Sequence, residues 1–334
     1  MLKTRVTELF GITYPIIGGC MQWITGPEFT AAVSNAGALG IMSSAMFPTQ
    51  EEFRAALRKL KSLTDRPFAV NLNLFPALRP IDNDLYLDIM LEEGGVGIVE
   101  TSGSRPPEEL LARLKENGIT LMHKCTSVHH ALIAESMGYD AVTVFGTEGG
   151  GHIGDYGLTT MSMVPRTVDL LRMPVIAAGG IADGRGMAAA LSLGAEAVLI
   201  GTRLLMTDEC PIHPDIKRRL LEAGEMDTLP ILGSVHNVLR VWKNQAALKV
   251  AELEAEGAGF EEILKVVAGA VTRNMFEVGD ADAGIVVCSQ SIGIINDVKP
   301  VRDVIGDMAR EAEEITGRVT SSASELEVTD DERL

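Results

Sequence analysis

Aromatic residues make up only 4% of this 334-residue chain, and its cysteines number four, at positions 20, 125, 210 and 288. The cysteines lie far apart with no CxxC pair, which excludes both a disulfide framework and the spacing of a structural zinc site. A chain of this length buries enough apolar surface to fold without such staples, so reduced thiols and no metal are expected. Basic residues are scarce as well: 29 Lys and Arg stand against 46 Asp and Glu, a formal charge of −17. That balance removes the attraction on which binding to nucleic acid or an anionic membrane depends. No run of eighteen apolar residues exists, and the first nineteen residues carry Lys3, Arg5 and Glu8 without a hydrophobic stretch and cleavage site. These absences point to a cytoplasmic protein that acts on small molecules. Oligomeric state is open, a homodimer included.

What is present is alternation. Apolar runs of strand length at 14–21, 39–44, 68–75, 96–101, 120–125 and 141–145 are each followed by an amphipathic or loop-flanked helical segment. Two more follow at 174–180 and 197–201, which makes eight β/α units before residue 210. Short strands apolar on both faces and separated by helices predict a parallel sheet. Eight units favour closure, so the expected fold is α/β, a (β/α)8 TIM barrel, with an open doubly wound sheet as the competing architecture. Residues 1–210 form the barrel in this reading. Residues 211–290 read as an inserted helical lid or substrate domain, 291–316 as a return to the barrel, and 317–334 as an acidic tail expected to be disordered.

The glycine-rich stretch 174–186 (PVIAAGGIADGRG) and its echo at 200–203 (IGTR) end the last two strands. Gly179 and Gly180 leave room for a ligand, Gly184 and Gly186 open a helix, and Gly201-Thr202 closes the other side. Free first-turn N–H groups behind a buried strand favour an anion, and the loops after strands seven and eight are where a barrel places a phosphate. At the other strand ends stand Met21 and Gln22, Ser43 and Ser44, Asn71 and Asn73, Glu100 to Ser102, Lys124, and Glu148 to His152. Buried polar groups there need a ligand or one another. The segment 149–154 (GGGHIG) fits G-x-G-x-x-G literally, but no helix follows it, so the dinucleotide reading fails on context. His152 reads either as a loop histidine bonded to its own turn or as an active-site acid or base. Lys124 reads as an ion pair with Glu100 or Glu148, or as a contact to an anionic cofactor. His129, His130 and His213 read as surface or capping groups, and no G-x-S-x-G elbow is present.

Together, GGCMQW at 18–23, RPFAVNLNL at 66–74, HKCTSVHHAL at 123–132, GGGHIG, PVIAAGGIADGRG and IGTR resemble the nitronate monooxygenase family. That family of FMN-dependent barrels includes NADH:quinone reductases and flavin-containing enoyl-thioester reductases. The resemblance implies FMN, with its phosphate at Gly180 and Gly201-Thr202 and its ring against Met21, Gln22, Asn71 or Asn73, and Lys124. Gly151 and Gly179 complete the implied cofactor set, and His152 stands as the catalytic acid or base. The implied activity is oxidation of nitronates with O2, or electron transfer from NAD(P)H to a quinone. Enoyl-thioester reduction is the alternative, and a non-redox barrel binding a phosphorylated metabolite is the alternative of another class. The loop after the third strand carries Ala77 and Leu78, where the quinone reductases have a polar group.

Overall fold

The computed structural model describes residues 2–74 and 82–331; Ala77, Leu78 and the end of the 68–75 run lie outside them. Its strands are β1 (Ile16–Gly18), β2 (Gly40–Ser43), β3 (Phe68–Leu74), β4 (Ile98–Gly103), β5 (Thr120–Cys125), β6 (Ala141–Phe145), β7 (Gly151–His152), β8 (Val175–Ala178), β9 (Ala197–Ile200), β10 (Thr228–Ile231) and β11 (Leu239–Trp242). Eight of them form one parallel sheet in the order β1-β9-β8-β6-β5-β4-β3-β2. A parallel bridge between Ile17 and Leu39 joins the two ends, so the sheet is a TIM barrel.

The period of two along each strand sorts its residues between two cores. Ile17, Ile41, Ala69, Ile98, Met122, Ala141, Ile176, Ala197 and Leu199 form one buried cluster inside the barrel. Val6 and Phe10 of the helix Arg5–Phe10 join that cluster, so the entry segment caps the barrel. Thr4 and Thr7 form a reciprocal capping box at the start of this helix. The intervening residues, such as Val70, Val99, Leu121, Val142 and Val198, face the surrounding helices in the larger cluster.

Residues 211–290 differ from the expected helical addition. Helices at Pro214–Leu220, Gln245–Ala255, Phe260–Val267 and Gly269–Val278 are present, but β10 and β11 form an antiparallel hairpin between them. β11 also pairs antiparallel with β7, placing Leu239 opposite His152 and Arg240 opposite Gly151. The helical reading of 238–244 fails because its alternating Leu239, Val241 pattern is satisfied by a sheet edge that lies elsewhere in the chain. The last helix runs Val301–Asp331, through the stretch expected to be disordered. Its first half is anchored by buried Val304, Ile305, Met308 and Ala312, and extension from an existing helix escapes the cost of nucleation. Among the described residues no helix is long and apolar enough to cross a membrane.

This closing helix packs tightly on the helix Gly184–Ser192. A Cβ at Gly184 would stand 2.4 Å from Glu311 Cβ and 2.7 Å from the Ala312 nitrogen. Gly184→Ala is therefore expected to force the two helices apart at a cost of about 1–3 kcal/mol. Denaturant unfolding reads this as a lower midpoint at unchanged slope; an unaltered midpoint would mean the helix contact is not part of the folded core.

Candidate active site

The same alternation that fills the barrel continues past its apolar layer. The inward series runs from Ala69 to Asn71 and Asn73 on β3, from Ile98 to Glu100 and Ser102 on β4, from Met122 to Lys124 on β5, and from Ala141 to Thr143 on β6. In-register pairing places these polar positions side by side at the C-terminal end of the strands, where catalytic groups of such barrels collect.

Glu100 is the centre of this cluster and has no exposed surface. Its Oε2 accepts from Asn71 Nδ2 at 2.6 Å and from Lys124 Nζ at 3.4 Å. Asn71 Nδ2 also donates to Ser102 Oγ at 3.2 Å, while the Asn71 carbonyl accepts from Ser44 Oγ at 2.7 Å. Of the two carboxylates open to Lys124, Glu148 is engaged elsewhere: both its oxygens accept from the Thr160 N–H at 3.0 Å. Among the described residues Glu100 Oε1 and Thr143 Oγ1 are buried without a hydrogen-bond partner. Leaving a buried polar atom unpaired costs about 1–3 kcal/mol. Cys20 reaches the same cluster, but burial outweighs the Lys124 charge and pushes its thiol up to about 11, so it stays protonated.

His152 lies on β7, held from outside the barrel by β11. Burial first, and then the positive charge of Lys124, lower its imidazole to about 4, so it is neutral at pH 7. The preceding loop is fixed by Arg240, whose Nε donates to the Thr147 carbonyl at 2.9 Å and whose Nη1 donates to Thr228 Oγ1 at 3.2 Å. Gly150 lets the loop pass residues 288–289: a Cβ there would be 2.5 Å from the Cys288 carbonyl carbon. Ser289 then ties three segments together. Its N–H donates to Thr202 Oγ1 at 2.9 Å, and its Oγ donates to the Glu148 carbonyl at 2.8 Å.

The glycines divide into two groups. Gly180, at φ 75, and Gly201 have backbone N–H groups that meet no acceptor among the described residues. Thr202 beside them accepts from Ser289, which leaves its hydroxyl proton available to an anion. Met21 joins this side, its Sδ 3.8 Å from where a Cβ on Gly201 would stand. Gly179 and Gly184 serve the protein's own packing instead. A Cβ on Gly179 would lie 2.8 Å from the Gly146 carbonyl oxygen. The Gly184 N–H donates to Glu311 Oε2 at 2.8 Å, and the Gly186 N–H to Asp183 Oδ1 at 3.1 Å. The expected anion site at this helix start is thus filled by two carboxylates of the chain itself. Gln22 is not drawn into the cluster either; it is exposed, with Nε2 3.6 Å from the Cβ position of Gly269. Asn73 continues the inward face of β3, and its carbonyl accepts from Asn83 at 3.1 Å.

Thr143, Arg240 and Ser289 escape a reading based on strand ends. Thr143 sits inside an apolar run, and the other two belong to segments far along the chain. The residues present suit a flavin mononucleotide on two counts. Open N–H donors at Gly180 and Gly201 suit its phosphate, and unpaired acceptors at Glu100 and Thr143 suit the polar edge of its ring.

A closed parallel barrel thus carries a neutral histidine, a lysine and open N–H donors at the C-terminal ends of its strands. The family model for nitronate monooxygenase matches residues 3–311, and the chain belongs to that family. It is 31% identical to a (3aS,4S,5R,7aS)-5-hydroxy-7a-methyl-1-oxo-octahydro-1H-indene-4-carboxyl-CoA dehydrogenase of Rhodococcus jostii, covering 93% of this chain and 96% of the relative. It is 35% identical to a probable nitronate monooxygenase of Staphylococcus saprophyticus, over 68% of this chain and 75% of that one. Among solved structures, FabK from Thermotoga maritima superposes with a TM-score of 0.88 at 36% identity, covering 96% of this chain and all of that one. The protein is an oxidoreductase of this family.

A buried histidine elsewhere in the barrel bears on stability. His123 faces outward from β5, its Nδ1 2.8 Å from Thr101 Oγ1, which is in turn 2.7 Å from the Tyr139 hydroxyl. Burial, with smaller effects of His130 and Lys124, lowers it from 6.5 to about 4. The unfolded chain therefore takes up a proton that the folded chain refuses. Stability is full above about 6.5 and falls as pH drops from there towards 4. Unfolding midpoints should decline between pH 7 and pH 5, and decline less in His123→Asn. Parallel declines in the two proteins would show that His123 is not the group responsible.

Proposed function

We propose that this protein is an FMN-dependent oxidoreductase in which His152 transfers a proton at a carbon activated by a neighbouring acyl thioester. The observation that carries this reading is a neutral imidazole held within the electrostatic reach of Lys124, at the mouth that also presents open N–H donors at Gly180 and Gly201. When bound, FMN supplies hydride acceptance or donation, which no side chain can perform. The backbone of Gly180 and Gly201 and the Thr202 hydroxyl would hold its phosphate. Met21, Asn71, Asn73, Glu100, Lys124 and Thr143 would surround its ring.

Lys124 would bring positive charge to a bound flavin, which would favour its reduced, anionic form. His152 is positioned by strand pairing rather than by a free loop, so its backbone stays in place while a proton moves. A neutral imidazole at pH 7 can accept a proton from an acidic C–H and return it in the reverse direction. The thioester reading is favoured by a relative that matches nearly the whole chain and is named for a carboxyl-CoA. Nitronate oxidation with O2, or transfer from NAD(P)H to a quinone, is the second reading. It is supported by the family and by the staphylococcal relative over about two thirds of the chain. In the second reading His152 would deprotonate the parent nitroalkane, since a nitronate has already lost that proton, or would protonate the product of hydride transfer to a quinone.

Anaerobic mixing of the FMN-loaded protein with NADH, NADPH, propyl nitronate and a saturated acyl-CoA, each separately, tests the assignment by flavin bleaching. Crotonyl-CoA should then reoxidise the flavin rapidly. Bleaching by propyl nitronate without any response to the thioesters would select the second reading, and a protein that stays colourless with added FMN would sink both. His152→Ala should retain FMN and lose about 10²–10⁴-fold in turnover, the usual worth of a general acid or base. Unchanged turnover would remove His152 from the reaction.

A further inference from the structure

Glu100 lines the space for the flavin ring, yet its hydrogen bonds go to Asn71 and Lys124, and it is the most completely buried charged group in the mouth. Its carboxylate has no exposed surface, whereas the Lys124 side chain is 20% exposed. The pair is therefore asymmetric, with a dry anion beneath a cation at the wet edge. The two bonds to Oε2 are unequal too. Asn71 makes the short one, at 2.6 Å, and Lys124 the long one, at 3.4 Å. Lys124 is held by Glu100 without being used up by it, so its remaining protons are open to a ligand.

A carboxylate retained only for packing would be satisfied on both oxygens, and Glu100 Oε1 has no partner among the described residues. A buried ion pair is weak evidence for stability, since apolar residues of similar volume often fold as well or better. What an apolar replacement cannot supply is the field. Cys20 feels both charges with opposite sign, and Lys124 is the charged group acting on His152.

We propose that Glu100 is a positioning residue: it fixes Lys124 Nζ from beneath and offsets its charge, so that a flavin bound in the mouth meets a partly neutralised cation. The inference rests on the FMN reading for its effect on the cofactor, but not for its effect on His152. Removing the negative charge leaves Lys124 uncompensated, which stabilises a reduced, anionic flavin and discourages a proton on His152. Removing the ammonium does the reverse. Opposite signs distinguish this role from a loss of packing, which would move both variants the same way.

The test uses Glu100→Gln and Lys124→Met in the full chain, with two readouts. Spectroelectrochemical titration of the FMN-loaded proteins should give a midpoint above wild type for Glu100→Gln and below it for Lys124→Met. In the proteins without added FMN, the NMR titration of His152 should move to lower pH in Glu100→Gln and to higher pH in Lys124→Met. If Glu100→Gln does not fold, Glu100→Asp keeps the charge but withdraws it from Nζ, and should shift both readouts in the same sense by less. Midpoints or titrations unchanged in the Glu100 variants, or displaced in the same direction as in Lys124→Met, would overturn the proposal. Failure of the wild type to bind FMN would refute the cofactor reading alone, leaving the His152 titration to judge Glu100.

Discussion

Closure of the parallel sheet governs everything else in this molecule. Once the Ile17–Leu39 bridge joins the first and last strands of the sheet, every second residue of eight strands has one destination, the barrel axis. Apolar residues fill that axis from the end capped by Val6 and Phe10 upward. Where Asn71, Glu100, Lys124 and Thr143 take the same inward positions, the axis becomes polar. The polar mouth is thus the barrel core continued with different side chains, and it is as rigid as the ladder beneath it. His152 is the exception, since its strand pairs with the hairpin and not with the barrel.

The glycines show how a single residue type answers two demands. Gly146, Gly150, Gly179 and Gly184 stand where a Cβ would meet backbone or a neighbouring side chain within 3 Å. These positions let loops and helices of the protein approach one another. Gly180 and Gly201 meet nothing so close, and their N–H groups stay open. Close packing and open N–H donors stand side by side, as at Gly179 and Gly180 just past β8.

The barrel was legible in the sequence because buried parallel strands must be apolar on both faces, and the runs at 39–44, 120–125 and 141–145 carry that signal without tertiary help. Lys124 was legible for the converse reason, as a charge at the end of such a run. Its choice of Glu100 over Glu148 was not, since both carboxylates stand at strand ends and only the position of Thr160 removes one. The hairpin of β10 and β11 was hidden by its brevity: four residues per strand, between helices, leave too little period to read. Gln22 beside Met21 shows the same limit. One residue's difference turns a side chain from the mouth to the helix that starts at Gly269.

The sequence by itself determined the eight β/α units, the polar residues that end them, and the glycine-rich exits of the last two, because these follow from burial and from a period of two. It also carried the family, through motifs spread from residue 18 to residue 203. Only the tertiary structure decided which glycines serve the chain and which stay open, which carboxylate Lys124 holds, and that β11 fixes His152. Those outcomes depend on separate segments meeting in space, some more than eighty residues apart, as Arg240 meets Thr147 and Ser289 meets Thr202. No local pattern encodes such a meeting, since each partner is satisfied only by the geometry the other supplies.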